Sequence, residues 1–368
     1  TQSRSSAASD VYKRQDMKGS QLTFAREYRG YTQKDLVDNI VGLSQSNLSN
    51  FEHGLGKLSE HLVKKIMDFL KFPSQFLDLS IVDYVENKHY RTKSTVTVKN
   101  KKHIDKFTSL VGYCFDCLAE YVELPEYKFG DYDLNEMGIA ASDVAKQVRR
   151  QFRLGYEPLM DIYKFLETNG VFVYQWDCPY PTFDGVSMVT GNGYHLVIVN
   201  NNVSNDRIRR SLAHELGHTM MHECPSIFVD PNRNKEAEAD EFASELLMPM
   251  AAIRDSLYGL KPSKLPLLKQ YWLVSMTSLI VRAERIGCID KKKEKNMMIE
   301  ASRNHWRTKE PIEVPIDSPS VISQILNLVK QEYGYELDTL AKTMELPVDI
   351  VNDILGSKSK IIRLRERM

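Results

Sequence analysis

The chain has 368 residues, which is enough for two or three domains with their own cores. Its 49 basic residues balance its 49 acidic ones, so no overall field favours nucleic acid, and any such affinity must be local. No run of about 18 apolar residues occurs, which argues against a membrane span. Five cysteines are few and odd in number, as expected in a reducing cytoplasm rather than in a disulfide-built secreted protein.

The first predicted segment is a leader over residues 1–16. It lacks the apolar central stretch of a secretory signal. We interpret it as non-native or disordered, and we expect the native start at or near Met17.

Residues 17–80 are predicted to form an all-α domain with a helix-turn-helix. Thr32 and Ser44 are each placed to cap a short helix, and Gly54 ends the second one. Two short helices about a four-residue turn are the helix-turn-helix arrangement.

Residues 81–107 are predicted to be a polar, basic linker that leads into a long helix, because lysine and arginine outnumber acidic residues there. Cys114 and Cys117 lie one turn apart on that helix. A single CxxC is weak evidence for zinc, so packed thiols are the favoured interpretation.

Residues 108–300 are predicted to form an α+β domain. Three short β-rich runs occur at 171–177, 184–190 and 194–200, and the GNG between the last two is a hairpin signal. A helix containing SLAHELGHTMMH follows directly. We therefore expect a small antiparallel sheet beside that helix.

Residues 301–368 are predicted to form a C-terminal helical module. The segment ILNLVKQEYGYELDTLAKTMELPVDIVNDILG repeats the spacing of LTFAREYRGYTQKDLVDNIVGLSQSNLSNFEHG near the start of the chain. Its third helix carries Asp349 and Asp353 where a DNA reader would need neutral or basic side chains. A docking or structural module is therefore favoured over a second DNA reader.

The densest chemistry lies in the helix at 211–222, where His214, Glu215 and His218 match H-E-x-x-H. Residues four apart share one helix face, so the two imidazoles can converge on one zinc ion. Glu215 can instead take a proton from a water that zinc acidifies, as a general base. The alternative is an amphipathic helix with solvent-facing histidines, but an apolar stripe of Ile208, Leu212 and Leu216 beside them argues against it.

A third ligand is expected from KEAEADEFASELLMP, residues 235–249. Glu238, Glu241 and Glu245 share one face, which is the ordinary pattern of a solvated surface. Glu236 lies on another face with alanines that allow close helix approach, and Asp240 follows one turn on. Glu236 is therefore favoured as the ligand over Glu238, with Asp240 orienting a ligand.

His222 lies two turns from His214, about 12 Å along the axis, which is too far to share one ion. We expect it to be structural or to contact substrate.

The segments DRIRRSLAHELGHTMMH and EAEADEFASELLMP resemble the ImmA/IrrE family of zinc-dependent metallo-endopeptidases. The segment YTQKDLVDNIVGLSQSNLSNFEHG is similar to Xre/Cro-type helix-turn-helix domains, and the two together resemble the longer family members that fuse both modules. The resemblance implies a zincin-like peptidase domain in a cytoplasmic bacterial or phage regulator that cleaves a transcriptional repressor. It also implies zinc bound by His214, His218 and Glu236, with Glu215 as the general base.

The same resemblance implies contacts to double-stranded DNA. Gln33 would approach phosphate, and four side chains would face the major groove, where glutamine and asparagine pair with adenine: Gln45, Ser46, Asn47 and Asn50. A single module should bind weakly, so a homodimer or a DNA-bound partner is expected. The alternative is a helix-turn-helix kept for protein contacts alone.

Two other functions remain open besides repressor cleavage. One is a helix-turn-helix transcription regulator or antitoxin whose peptidase fold senses a partner without cutting. The other is a protein-interaction scaffold, which would leave the H-E-x-x-H constellation unexplained.

Overall fold

The computed structural model describes residues 18–81, 97–223, 233–306 and 310–356. The predicted leader, residues 1–16, and most of the predicted linker lie outside these ranges. The described chain divides into two compact units. The first contains 18–81, 97–122 and 325–356, and the second contains 123–223, 233–306 and 310–324.

Short capped helices build the first unit. Thr32 accepts a hydrogen bond from the Asp35 backbone N–H, and Ser44 accepts one from that of Asn47, so both predicted N-caps are confirmed. The helices of this part are α1 (residues 18–28), α2 (Gln33–Asn39), α3 (Gln45–Glu52), α4 (Glu60–Leu70), a 3₁₀ turn (Ser74–Asp78) and α5 (Val98–Ala119).

A buried ion pair joins the first and third helices of this unit. Arg26 donates through Nε and Nη2 to the two carboxylate oxygens of Glu52, at 2.7 and 2.8 Å. Helix α5 also belongs to this unit, so the predicted domain limit at residue 108 falls inside one helix. The buried apolar residues of α5 begin at Ile104, within the predicted linker, and they draw the helix into this core.

The second unit surrounds a three-stranded sheet with helices, as expected for an α+β domain. Its elements are α6 (Leu134–Met137), α7 (Ala141–Gln151), α8 (Ile162–Glu167), β1 (Val171–Trp176), β2 (Gly185–Val189), β3 (His195–Asn200), α9 (Asn205–Met221), α10 (Lys235–Leu247), α11 (Met250–Leu257), a 3₁₀ turn (Pro262–Lys264), α12 (Leu265–Trp272), α13 (Met276–Arg285) and α14 (Lys291–Arg303).

The sheet has the order β1-β3-β2. Strands β2 and β3 form the predicted hairpin, with Val189 paired to His195. The expectation of an entirely antiparallel sheet is wrong, because β1 runs parallel to β3, with Val171 paired to His195. The proline-containing connection at 177–184 is too long for a tight turn, so it passes β3 and places β2 on the far side.

Helix α9 lies at the centre of the second unit, packed against β2, β3 and α10, while α10 also packs on α7. Three helices close the described chain: α15 (Val321–Tyr333), α16 (Leu337–Thr343) and α17 (Val348–Leu355). Residues from 325 onward belong to the first unit. Within the described ranges, no helix is long and apolar enough to cross a membrane.

Candidate metal centre

The H-E-x-x-H motif occupies a buried stretch of α9. His214, Glu215 and His218 are each at most 2% exposed. Buried polar side chains require partners, so these residues cannot be an ordinary solvated helix face. The alternative of solvent-facing histidines is therefore wrong.

The first turn of α10 brings Glu236 to the two histidines. Its Oε2 lies 3.4 Å from His214 Nε2, and its Oε1 lies 3.3 Å from His218 Nε2. The two Nε2 atoms are 3.1 Å apart. Among the described residues, these three form the cluster whose ligand atoms all lie within 4.8 Å of one another.

Close contact between α9 and α10 makes this convergence possible. A Cβ added at Gly217 would lie 3.3 Å from Ala239 Cα and 3.0 Å from Phe242 Cδ1. Ala239 is fully buried, as the alanine face of α10 predicts. Small residues at the crossing therefore let the backbone that carries Glu236 approach the histidines.

An ion pair between α9 and α10 orients His214. Its Nδ1 lies 3.0 Å from Asp240 Oδ1, and Arg210 lies 2.9 Å from the same oxygen. With Nδ1 engaged, Nε2 is directed at Glu236. Asp240 thus occupies the position expected of a residue that orients a ligand.

The acidic face of α10 is not the solvated surface that its spacing predicts. Glu238 contacts both His222 and Arg233. Glu245 is 3% exposed and pairs with Arg282. The spacing identified a shared face correctly, but it could not reveal that Arg233 pairs with Glu238 and Arg282 with Glu245.

Glu215 is hydrogen-bonded separately, to Ser187 on strand β2. Ser187 lies 3.1 Å from its Oε2 and also contacts Glu223 Oε1. A hydroxyl group has one proton, so it can donate to one of these carboxyl groups while the other must carry a proton of its own. Burial raises the pKa of Glu215, and the neighbouring His218 and His214 oppose that shift.

The geometry fits a zinc ion. Ligands about 2.05 Å from a tetrahedral zinc lie about 3.3 Å from one another, and the three ligand separations here are 3.1, 3.3 and 3.4 Å. Burial lowers the pKa of His214, but the Asp240 and Glu236 carboxylates more than offset this and raise it to about 9. The raised pKa means that the two carboxylates stabilise a positive charge at the His214 ring.

The middle of the chain resembles a known peptidase domain. Residues 176–284 match the family model for the IrrE N-terminal-like domain, Peptidase_M78. The match runs from the end of β1 into α13 and contains the whole cluster. No curated protein and no solved structure matches the chain. The match supports the peptidase part of the sequence interpretation and leaves the helix-turn-helix outside its limits.

The predicted DNA-contacting residues lie in two different environments. The four predicted groove-facing side chains are all exposed on α3: Gln45, Ser46, Asn47 and Asn50. Gln33 is half-buried, and its amide donates to Glu52 at 2.7 Å. Its side chain therefore supports the buried Arg26–Glu52 pair and is already engaged within the unit.

Sequence reasoning missed Ser187 and Arg233, and it expected His222 to be structural or to contact substrate without predicting its contact with His218. Ser187 is a lone polar residue in a buried apolar strand, which was a usable signal. His222 stands four residues after His218, at the spacing that joins His214 to His218, and that too was a signal. Arg233 gave none, because its role depends on the position of α10.

Proposed function

We propose that the second unit is a zinc metallo-endopeptidase that cleaves a transcriptional repressor and so relieves repression. The observation that carries this proposal is the convergence of His214, His218 and Glu236 beside the buried Glu215. The match of residues 176–284 to the IrrE N-terminal-like domain supports it independently.

The proposed ligands are the Nε2 atoms of both histidines and the Glu236 carboxylate. A bound zinc ion would supply a Lewis acid that polarises a peptide carbonyl and acidifies water. Glu215 would accept the proton of the attacking water at its carboxylate and return it to the departing amine. Ser187 holds one oxygen of that carboxylate in place.

We further propose that the first unit binds double-stranded DNA through α3. The exposed polar side chains on that helix support this, since glutamine and asparagine can each make two hydrogen bonds to adenine. One module offers few contacts, so a homodimer or a DNA-bound partner is proposed as well. The cytoplasm is the proposed location, because a DNA-bound regulator and its repressor substrate must meet there.

The proposed substrate is a helix-turn-helix repressor cut in an exposed, flexible segment. A packed helix or strand would first have to unfold locally to enter a cleft in extended form. A gene neighbouring this one that encodes a small repressor would identify the candidate.

Replacing Glu215 with Gln tests the proposal, because the amide preserves the shape of the side chain and lacks the basic oxygen. Cleavage of the repressor should fall by about 10²–10⁴, while zinc content and DNA binding persist. The experiment co-expresses each variant with the neighbouring repressor under inducing stress and measures repressor length by mass spectrometry. Glu300→Gln, on an exposed face of α14, is the matched control.

Equal repressor loss with wild type and Glu215→Gln would rule out cleavage by this centre. An intact repressor in both, with repression nevertheless relieved, would favour the regulator that senses a partner without cutting.

A further inference from the structure

We propose that His222 and Glu238 are positioning residues that fix His218 for zinc through a chain of hydrogen bonds ending at Arg233. The inference rests on the proposed function, since it presumes that His218 is a ligand. The observation behind it is an uninterrupted row of close contacts from His218 to Arg233.

The first link is the contact between two imidazoles. His218 Nε2 faces Glu236 Oε1 at 3.3 Å, so Nε2 is its ligand atom. A neutral imidazole has one proton, which must then be on Nδ1. That nitrogen lies 2.9 Å from His222 Nδ1. His222 Nδ1 must therefore accept the hydrogen bond.

The second link follows from the first. With Nδ1 as acceptor, the proton of His222 is on Nε2. This atom lies 2.9 Å from Glu238 Oε2, which is an acceptor. Both protons therefore find an acceptor, and the direction of each hydrogen bond is determined.

The third link holds the carboxylate. Arg233 donates through Nε to Glu238 Oε1 at 2.8 Å and through Nη2 to Oε2 at 2.6 Å. Two parallel hydrogen bonds from one guanidinium group fix both the position and the orientation of a carboxylate. Glu238 is thereby held towards His222.

The arrangement parallels the one at His214, where Asp240 contacts Nδ1 and Arg210 contacts Asp240. Each histidine is therefore supported by a carboxylate that pairs with an arginine. At His218 the support is indirect, because the imidazole of His222 lies between His218 and Glu238. The His222 side chain is fully buried, whereas Asp240 is 20% exposed. Water cannot readily replace His222, so its loss should remove the hydrogen-bond acceptor that His222 Nδ1 provides for His218 Nδ1.

Zinc affinity of the full chain, measured by competition with a chelating dye, tests the chain of hydrogen bonds. Residues that orient a metal ligand typically contribute 10–100-fold in affinity, so His222→Leu and Glu238→Ala should each weaken zinc binding by about that factor. His222→Gln should restore most of the affinity, because its amide oxygen can accept from His218 and its NH₂ can donate to Glu238. Glu241→Gln, on the same helix, is the control and should leave the affinity unchanged.

A second measurement reports the proton positions directly. Proton–nitrogen correlation spectra of the zinc-loaded, ¹⁵N-histidine-labelled protein should place protons on His218 Nδ1 and His222 Nε2, with His222→Gln providing the assignment. A general packing role would not require this pattern. A proton on His222 Nδ1 would overturn the proposal even if His222→Leu or Glu238→Ala failed to fold.

Glu236→Gln separates failure of this inference from failure of the proposed function. Because it removes a ligand, it should weaken zinc binding more than His222→Leu or Glu238→Ala. If Glu236→Gln weakens binding and the other two do not, the positioning role is wrong and the zinc site stands. If wild type binds no zinc, or Glu236→Gln has no effect, the proposed zinc site itself is wrong.

Discussion

Arg29 donates two hydrogen bonds to Asp349, with Nη1–Oδ2 and Nη2–Oδ1 distances of 2.7 and 3.2 Å. The two residues are 320 positions apart in the chain, and both belong to the first unit. Asp349 is the second residue of α17, as Ser46 is of α3. In the C-terminal repeat, the position that would face DNA therefore holds an acid that pairs within the unit, which supports the docking role predicted for this module.

Asp349→Asn should leave DNA binding unchanged and lower the free energy of unfolding by less than about 1 kcal/mol. The magnitude is small because the carboxylate is 59% exposed, and exposed ion pairs contribute little. Fluorescence anisotropy with a duplex and thermal unfolding measure the two effects. A clear gain in DNA affinity would instead identify α17 as a second DNA reader, since removing a negative charge would then relieve repulsion from phosphate.

The double variant Gln45→Ala with Asn47→Ala should lose its preference for particular DNA sequences. Both side chains are exposed at the start of α3, and base contacts rather than phosphate contacts carry sequence information. Selection from a random duplex pool, followed by sequencing, measures the preference, and zinc content should equal that of wild type. Retention of the wild-type consensus would show that α3 does not read bases.

Gly217→Leu should weaken zinc binding and destabilise the second unit by about 1–3 kcal/mol, the usual range for overpacking. The side chain would enter the contact with Ala239 and Phe242 and push α10 outward. Chelator competition and urea unfolding measure the two effects. Ala237→Leu, on an exposed part of α10, is the control and should change neither. Wild-type zinc affinity in Gly217→Leu would show that the position of Glu236 does not depend on this crossing.

Glu223→Gln should reduce the loss of stability that accompanies rising pH. Burial raises the pKa of Glu223 to about 8, and its hydrogen bond with Ser187 opposes the shift. An unfolded glutamate titrates near pH 4.3, so between about pH 4.3 and 8 the folded state holds a proton that the unfolded state has lost. Folding stability must therefore fall as pH rises through this window, by at most about 1.4 kcal/mol per pH unit.

Urea unfolding of the metal-free protein at several pH values between 5 and 8 measures the slope. Glutamine cannot ionise and keeps the shape of the protonated acid, so the slope should become shallower. Exposed Glu300→Gln should retain the wild-type slope. Equal slopes for Glu223→Gln and wild type would show that Glu223 is ionised in the folded protein.

The sequence predicted best those features that local chemistry determines. The caps at Thr32 and Ser44 and the β2–β3 hairpin depend on neighbouring residues, and the structure contains them. The parallel pairing of β1 was not predictable from its own sequence, because strand partners depend on the path of the connection. Helical spacing likewise identified the face shared by Glu238 and Glu245 but not the basic residues opposite it.

The proposed ligand set draws its histidines from α9 and its carboxylate from α10, with Glu236 in the first turn of α10. An ion bound by both helices cross-links them without a covalent bond. Because the unfolded chain has no preformed site, the free energy of binding the ion would add to the free energy of folding. Free zinc at about 100 times its dissociation constant would add about 2.7 kcal/mol to stability. The folded fraction of this domain in a cell would therefore depend on the concentration of free zinc.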